Sequence, residues 1–121
     1  MTWREEFDEI RTAAPLENED DYAAWLDRLF ESYSTSQDGE SLAEGVERII
    51  AGLRAIASQY YGRTMLVISH PVILLALRAY LLMTAVSRDQ VESLPTLARC
   101  VVDYLEGRFY LVEDFPTRWL T

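Results

Sequence analysis

Two stretches of the chain carry apolar residues every three to four positions, the spacing that places side chains on one face of a helix. The first covers residues 18–33, and the second runs from about Ser41 to Tyr60. Ser41 and Glu44 have the spacing of a capping box, which favours a helix start at that point. The first apolar face could be a binding surface, but its pattern is more typical of a face packed into a core. That face consists of Tyr22, Trp25, Leu26, Leu29, Phe30 and Tyr33.

A continuous apolar run follows over Thr64–Ser69. It is short and rich in β-forming side chains, so it predicts a strand that is buried on both faces. Residues 72–83 then predict a helix, and Pro71 suits the first helical position because no intrahelical N–H bond is lost there. Ser87 and Gln90 have capping-box spacing and predict a further short helix.

The end of the chain has the pattern of a β-hairpin. Two strand-like runs, Cys100–Leu105 and Arg108–Glu113, flank the dipeptide Glu106-Gly107, and a two-residue turn that contains glycine is typical of hairpins. Together the elements predict an α/β fold, in which helices pack on a small mixed sheet that ends in a C-terminal antiparallel hairpin. The 121 residues suit a single domain over 1–121.

Composition narrows the possible partners and the compartment. The formal net charge is -9, which disfavours binding to nucleic acid and to anionic membranes. A lone cysteine, Cys100, excludes an intrachain disulfide and favours the cytoplasm. No signal peptide is evident, and the longest apolar stretch, residues 72–83, is too short to span a bilayer. The acidic cluster over residues 17–21 indicates a solvated helix start rather than a metal site.

His70 is the only histidine, and it lies between the predicted strand and the helix that begins at Pro71. Ligands of open α/β sheets bind at the carboxyl ends of strands, and a helix N-terminus favours anions. Because proline has no N–H, Val72 offers the first backbone donor. This position suits binding of a phosphate-type anion by His70 and Val72. A histidine ring that only satisfies a loop carbonyl is equally compatible with it.

Several motifs occur in an order that resembles the histidine phosphatase (phosphoglycerate mutase-like) superfamily. Gly39-Glu-Ser-Leu42 opens a long helix, Thr64-Met-Leu-Val-Ile-Ser-His70 follows, and the hairpin precedes Thr117-Arg-Trp-Leu120. The resemblance extends from Gly39 to the end and is weaker over residues 3–38. It implies a phosphoglycerate mutase-like fold and phosphoryl transfer from phosphate monoesters through a phosphohistidine, with no metal or other cofactor.

Two residues match functional positions of that family. His70 matches the second histidine of the phosphate pocket, which binds the transferred phosphoryl group. Phe7-Asp8-Glu9-Ile10 resembles the Leu-x-Glu-Ile segment that supplies the general acid, so the resemblance implies that Glu9 protonates the leaving oxygen. The alternative is that Glu9 is an exposed acid among its acidic neighbours.

The departures from the family bear on activity. No Arg-His-Gly motif, which carries the attacking histidine, occurs in the sequence; Leu75 stands where a pocket arginine often lies, and Trp119-Leu120 replaces a terminal His-Leu. We therefore expect a truncated domain that is catalytically incomplete by itself. A non-catalytic protein-interaction or anion-binding module and an unrelated small α/β protein remain open alternatives.

The family resemblance also predicts how the sheet is completed. The strand over Thr64–Ser69 would lie between two strands that this sequence lacks, and its backbone groups would need other partners. The N-terminal segment could substitute for a missing strand, but we expect direct pairing with Cys100–Leu105 and self-association of the chain as a homo-oligomer.

Overall fold

The computed structural model describes residues 3–12, 15–34 and 39–116, and it has the α/β class that the sequence predicts. A short 3-10 turn near the start precedes four helices and a hairpin. In chain order they are the turn Glu5–Phe7, α1 Glu19–Glu31, α2 Leu42–Gln59, α3 Pro71–Leu82, α4 Arg88–Ser93, β1 Val101–Leu105 and β2 Arg108–Glu113.

Local hydrogen bonds explain where three of the helices begin. The side chain of Asn18 accepts from the backbone N–H of Asp21 at the start of α1. Ser41 and Glu44 form the predicted capping box of α2, and the short helix α4 begins with a second capping box. These contacts satisfy N–H groups that have no partner inside a helix. The acidic residues 17–21 thus precede or occupy the first turn of α1, as predicted.

The core lies where α2 and α3 pack together, with α1 and the end of the hairpin around them. The helix α3 is apolar on most of its circumference, so it occupies the centre of the fold. Its buried residues are Val72, Ile73, Leu75, Ala76, Leu77 and Ala79. The apolar face of α1 is turned inward through Trp25, Leu26 and Leu29. Among the described residues, no helix is long and apolar enough to cross a membrane.

The predicted hairpin is present. β1 pairs with β2 in an antiparallel ladder, and Glu106 and Gly107 both have positive φ, 52° and 82°. Two consecutive positive φ angles are what a type I′ turn requires, and its twist matches that of the strands. On the inward face, the rings of Tyr104 and Phe109 lie 4.8 Å apart between centroids.

The predicted strand over Thr64–Ser69 is absent, and this prediction was wrong. These residues lie outside every helix and strand, and most are exposed rather than buried: Leu66 is 87% and Ile68 73% accessible. Within the described ranges β1 pairs only with β2, so the expected pairing with Cys100–Leu105 is wrong as well. A strand needs a neighbour for its backbone groups, and no described segment supplies one. The described sheet is accordingly antiparallel rather than mixed.

Candidate functional site

The N-terminus of α3 carries the only histidine of the chain. His70 is the N-cap residue, has extended backbone angles (φ -130°, ψ 157°) and exposes its side chain to solvent. Pro71 occupies the first helical position, as predicted. The first free backbone donors of the helix therefore belong to Val72 and Ile73. His70 lies at the start of the predicted helix, although the residues before it do not form a strand.

The two free N–H groups of α3 donate to the carboxylate of Glu9. The N–H of Val72 lies 2.8 Å from Oε2 and the N–H of Ile73 lies 2.6 Å from Oε1. Oε1 also accepts from the N–H of Ile10 at 3.0 Å. An anion at a helix N-terminus is favoured by the unsatisfied donors and by the helix dipole. Here the anion comes from the chain itself, across 63 residues of sequence.

Two opposing effects act on the Glu9 carboxyl. Burial raises its pKa above the ordinary value, while the N–H donors of Val72, Ile10 and Ile73 and the charge of His70 act to lower it. Burial is the larger effect, so Glu9 keeps its proton to a higher pH than a solvated glutamate. A raised pKa is the direction of shift that suits a carboxyl for proton donation. The partly buried, hydrogen-bonded carboxyl also excludes the alternative that Glu9 is merely an exposed acid.

Arg48 on α2 holds the backbone that leads to Glu9. Its Nη1 donates to the carbonyl oxygens of Glu6 at 2.9 Å and Asp8 at 2.8 Å, and more distantly to that of Glu5 at 3.3 Å. Its Nη2 donates to the carbonyl oxygen of Glu9 at 3.1 Å. The planar guanidinium, with five donors in a fixed arrangement, is suited to binding several acceptors at once.

Glu40 forms an ion pair with Arg48 and also bonds to the backbone after Glu9. Its two carboxylate oxygens accept from Nε and Nη2 of Arg48 at 2.9 and 2.7 Å, and its backbone N–H donates to the carbonyl of Arg11 at 2.8 Å. Burial would raise the pKa of Glu40, but the hydrogen bonds from Arg48 and the N–H of Arg11 outweigh it and lower the pKa. Arg48 and Glu40 thus hold the segment on both sides of Glu9.

The same segment also contacts Ser69 and lies very close to α2. The hydroxyl of Ser69 donates to the carbonyl oxygen of Phe7 at 2.6 Å. A methyl group on Gly52 would lie only 2.6 Å from Cβ of Glu6, and one on Gly45 would clash with the end of the Ile10 side chain. Glycine at these two positions of α2 permits the close approach.

The structure brings together the three site residues that the sequence indicates, Glu9, His70 and Val72. Their roles in binding or catalysis stay predictions. The sequence pattern did not indicate Arg48 or Glu40. The only signal for Glu40 was its place in the Gly-Glu-Ser motif just before α2, and Arg48 lies on α2, eight residues after Glu40.

Other candidate residues lie elsewhere. Leu75 is buried in the core, and the segment Thr117–Leu120 lies outside the described residues. Cys100 is half-buried, and burial raises the pKa of its thiol, which agrees with an unreactive side chain. In the described ranges no group of three or more histidine, cysteine, aspartate or glutamate side chains could hold a metal ion.

Comparisons with known proteins identify the family of the chain. No curated protein and no solved structure matched the chain. The family model of the histidine phosphatase superfamily (branch 1) matches residues 2–114. This match includes the segment that carries Glu9, for which the sequence resemblance was weaker. The chain therefore belongs to the histidine phosphatase superfamily.

Proposed function

We propose that the N-terminus of α3 is a weak binding site for a phosphate-type anion, formed by His70 and the backbone N–H of Val72. Glu9 lies beside it as the group that gives a proton to a leaving oxygen. The observation that carries the proposal is the bond from Val72 and Ile73 to the Glu9 carboxylate, because these donors already hold an oxyanion. His70, exposed at the same helix start, adds a side-chain donor.

The contact with Glu9 also accounts for weak binding. A backbone N–H has one proton to donate, so an incoming phosphate must displace the carboxylate to reach Val72. Two anions at one helix end repel each other, and this repulsion favours the protonated form of Glu9. Displacement would therefore leave Glu9 as a neutral acid next to the phosphate group, the state that general-acid catalysis requires.

We also propose that the chain alone does not hydrolyse phosphate monoesters. The chemistry of the family proceeds through phosphohistidine, and His70 is the only histidine in the sequence. If His70 binds the transferred group, no second imidazole is available to attack it. Hydrolysis of a generic aryl phosphate by the purified chain should equal the blank. Turnover that disappears in His70→Ala would contradict this, because His70 would then be the nucleophile.

A phosphate titration followed by NMR tests the anion site. Addition of inorganic phosphate should move the amide signals of Val72 and Ile73 and the ring signals of His70, and His70→Gln should weaken the response. Glu9→Gln should tighten binding, because the competing charge is gone, whereas the control Glu5→Gln, an exposed acid of the same segment, should not. Unmoved signals at high phosphate concentration would contradict the proposal.

A second candidate function is protein interaction through residues 64–69. Met65, Leu66 and Ile68 are 44, 87 and 73% exposed, and an exposed run of this kind is typical of an interface or of a strand that lacks its partner. We propose a second copy of the chain as the partner. The run carries no charged side chain, so pairing of two copies along it places no like charges directly opposite each other.

Sedimentation at several concentrations tests this second candidate. The chain should form dimers or larger species as the concentration rises, and Leu66→Ser should prevent it. Leu97→Ser is the matched control, since Leu97 is 95% exposed on another part of the surface. A monomer at every concentration would contradict the proposal. We further propose that the chain forms a single domain and that it acts in the cytoplasm, in agreement with its lone cysteine.

A further inference from the structure

We propose that Arg48 and Glu40 are positioning residues whose ion pair holds the carboxylate of Glu9 at the N-terminus of α3. Arg48 donates to four carbonyl oxygens of residues 5–9, including that of Glu9 itself. The proposal goes beyond phosphate binding, because it concerns how the chain holds its own carboxylate. It holds whether or not phosphate binds.

The geometry shows why one arginine determines the position of Glu9. The segment from Arg4 to Ile10 contains only a three-residue turn, so the carbonyl groups that this turn does not bond need partners from elsewhere. Arg48 supplies them from a helix whose backbone is fixed by its capping box and by its packing on α3. The Glu9 carbonyl is bonded to Arg48 at 3.1 Å, and the side chain of the same residue then extends to α3.

Glu40 fixes the orientation of the guanidinium. It binds Nε and Nη2, and both Arg48 and Glu40 side chains are only about a tenth exposed (12 and 10%). A bidentate pair of this kind holds the plane of the guanidinium, so the remaining donors point at the carbonyl groups. Glu40 is also joined to the backbone of Arg11, two residues after Glu9: the Glu40 N–H donates to the Arg11 carbonyl, and the side-chain Oε1 of Glu40 accepts from the Arg11 N–H at 3.2 Å.

The first turn of α3 provides a specific readout. The N–H groups of Val72 and Ile73 have no intrahelical acceptor, and their partner is Glu9. The next amide, that of Leu74, donates to the carbonyl of His70 within the helix. Slow hydrogen exchange at Val72 and Ile73 therefore reports the Glu9 contact, while Leu74 reports the helix.

Hydrogen exchange of the full chain, measured by NMR without phosphate, tests the proposal. In Arg48→Met, hydrogen exchange at Val72 and Ile73 should accelerate about tenfold or more relative to Leu74. The reason is that the Glu9 carboxylate, no longer held in place, would leave these two N–H groups without their acceptor. Arg48→Lys should accelerate it too, because a single ammonium cannot replace the planar set of donors. Arg54→Met is the control, an exposed arginine on the same helix, and should leave exchange unchanged.

Two outcomes would overturn the proposal. One is a folded Arg48→Met variant in which Val72 and Ile73 exchange as slowly as before. The other is an equal acceleration at Leu74, which would mean that Arg48 only stabilises the fold. If Arg48→Met does not fold, Glu40→Gln applies the same test, because it removes the charge of the pair and keeps its shape. In that variant unchanged exchange at Val72 and Ile73 would likewise contradict a positioning role.

Discussion

Replacing Glu9 with glutamine tests how strongly the start of α3 depends on its internal carboxylate. Both carboxylate oxygens are acceptors in the structure, Oε2 for Val72 and Oε1 for Ile73 and Ile10. Glutamine keeps one acceptor oxygen and puts an NH₂ group in the place of the other. If its oxygen remains on Ile73, a donor then faces the N–H of Val72, and that hydrogen bond is lost.

The size of the effect follows from two contributions and one opposing term. A hydrogen bond to a charged group contributes about 1.5–3 kcal/mol, and a negative charge at a helix N-terminus contributes about 0.3–1 kcal/mol. The variant no longer buries a charge, which offsets part of this loss. We expect Glu9→Gln to lower the free energy of unfolding by no more than about 1 kcal/mol near neutral pH, because the raised pKa means that the cost of burying the charge outweighs much of what the charge contributes. Urea unfolding followed by tryptophan fluorescence and circular dichroism measures it, with Glu5→Gln as the control.

The pH dependence has a definite sign. Because burial raises the pKa of Glu9, the folded state holds this proton more tightly than the unfolded state. The contribution of this proton to the free energy of unfolding is fully present below the pKa of Glu9 in the unfolded state, near the ordinary value of 4.5. It is lost as the pH rises through the pKa of Glu9 in the folded state. The stability difference between wild type and Glu9→Gln should therefore shrink as the pH rises from about 4 towards neutrality. A difference that grows instead would refute the reasoning, and would mean that the N–H donors outweigh burial.

Three further substitutions have expected outcomes. Asp114→Asn should lower the free energy of unfolding by about 1.5–3 kcal/mol in urea titrations, because Asp114 accepts from Nε and Nη2 of Arg78 at 2.8 and 3.0 Å. The hydrogen bonds from Arg78 lower the pKa of Asp114 below 3.8, so wild-type stability from this pair should be lost only as the pH falls through that lowered value. Gly52→Ala should displace the segment at Glu6, which its new methyl group would meet, and so accelerate amide exchange at Val72. Unchanged exchange would show that the segment can move away from α2 without loss of the Glu9 contact. Gly107→Ala should lower the melting temperature, by the equivalent of about 1 kcal/mol, because its φ is 82° although space is open.

Local rules predicted most of the elements. The helices over residues 19–31 and 42–59 follow from apolar spacing, and the start of the second also follows from its capping box. The hairpin follows from the two strand-like runs that flank Glu106-Gly107, since glycine accepts a positive φ and marks a two-residue turn. Each of these signals lies within the element that it predicts, so the sequence alone was sufficient.

Features that depend on distant residues were not predictable in this way. The run over Thr64–Ser69 has the composition of a strand, but strand formation requires a neighbour, and composition does not report whether one is present. Arg48 lies about 40 positions from the carbonyl groups that it binds, and an arginine on a helix usually faces solvent. Glu9 was indicated only by resemblance to a family segment. Its contact with Val72 and Ile73, across more than 60 residues, could not be derived from periodicity.

The two proposed functions are physically connected at one residue. Ser69 is the last residue of the exposed run and precedes His70, and its hydroxyl donates to the carbonyl of Phe7 in the segment held by Arg48. A strand from a second copy that pairs with residues 64–69 would fix the backbone of Ser69, and through this bond it would fix the segment that carries Glu9. Any change in the contact of Glu9 with α3 alters the competition between its carboxylate and phosphate for the N–H of Val72. Linkage then requires the effect to be reciprocal, so phosphate binding must change self-association by the same factor by which self-association changes phosphate binding.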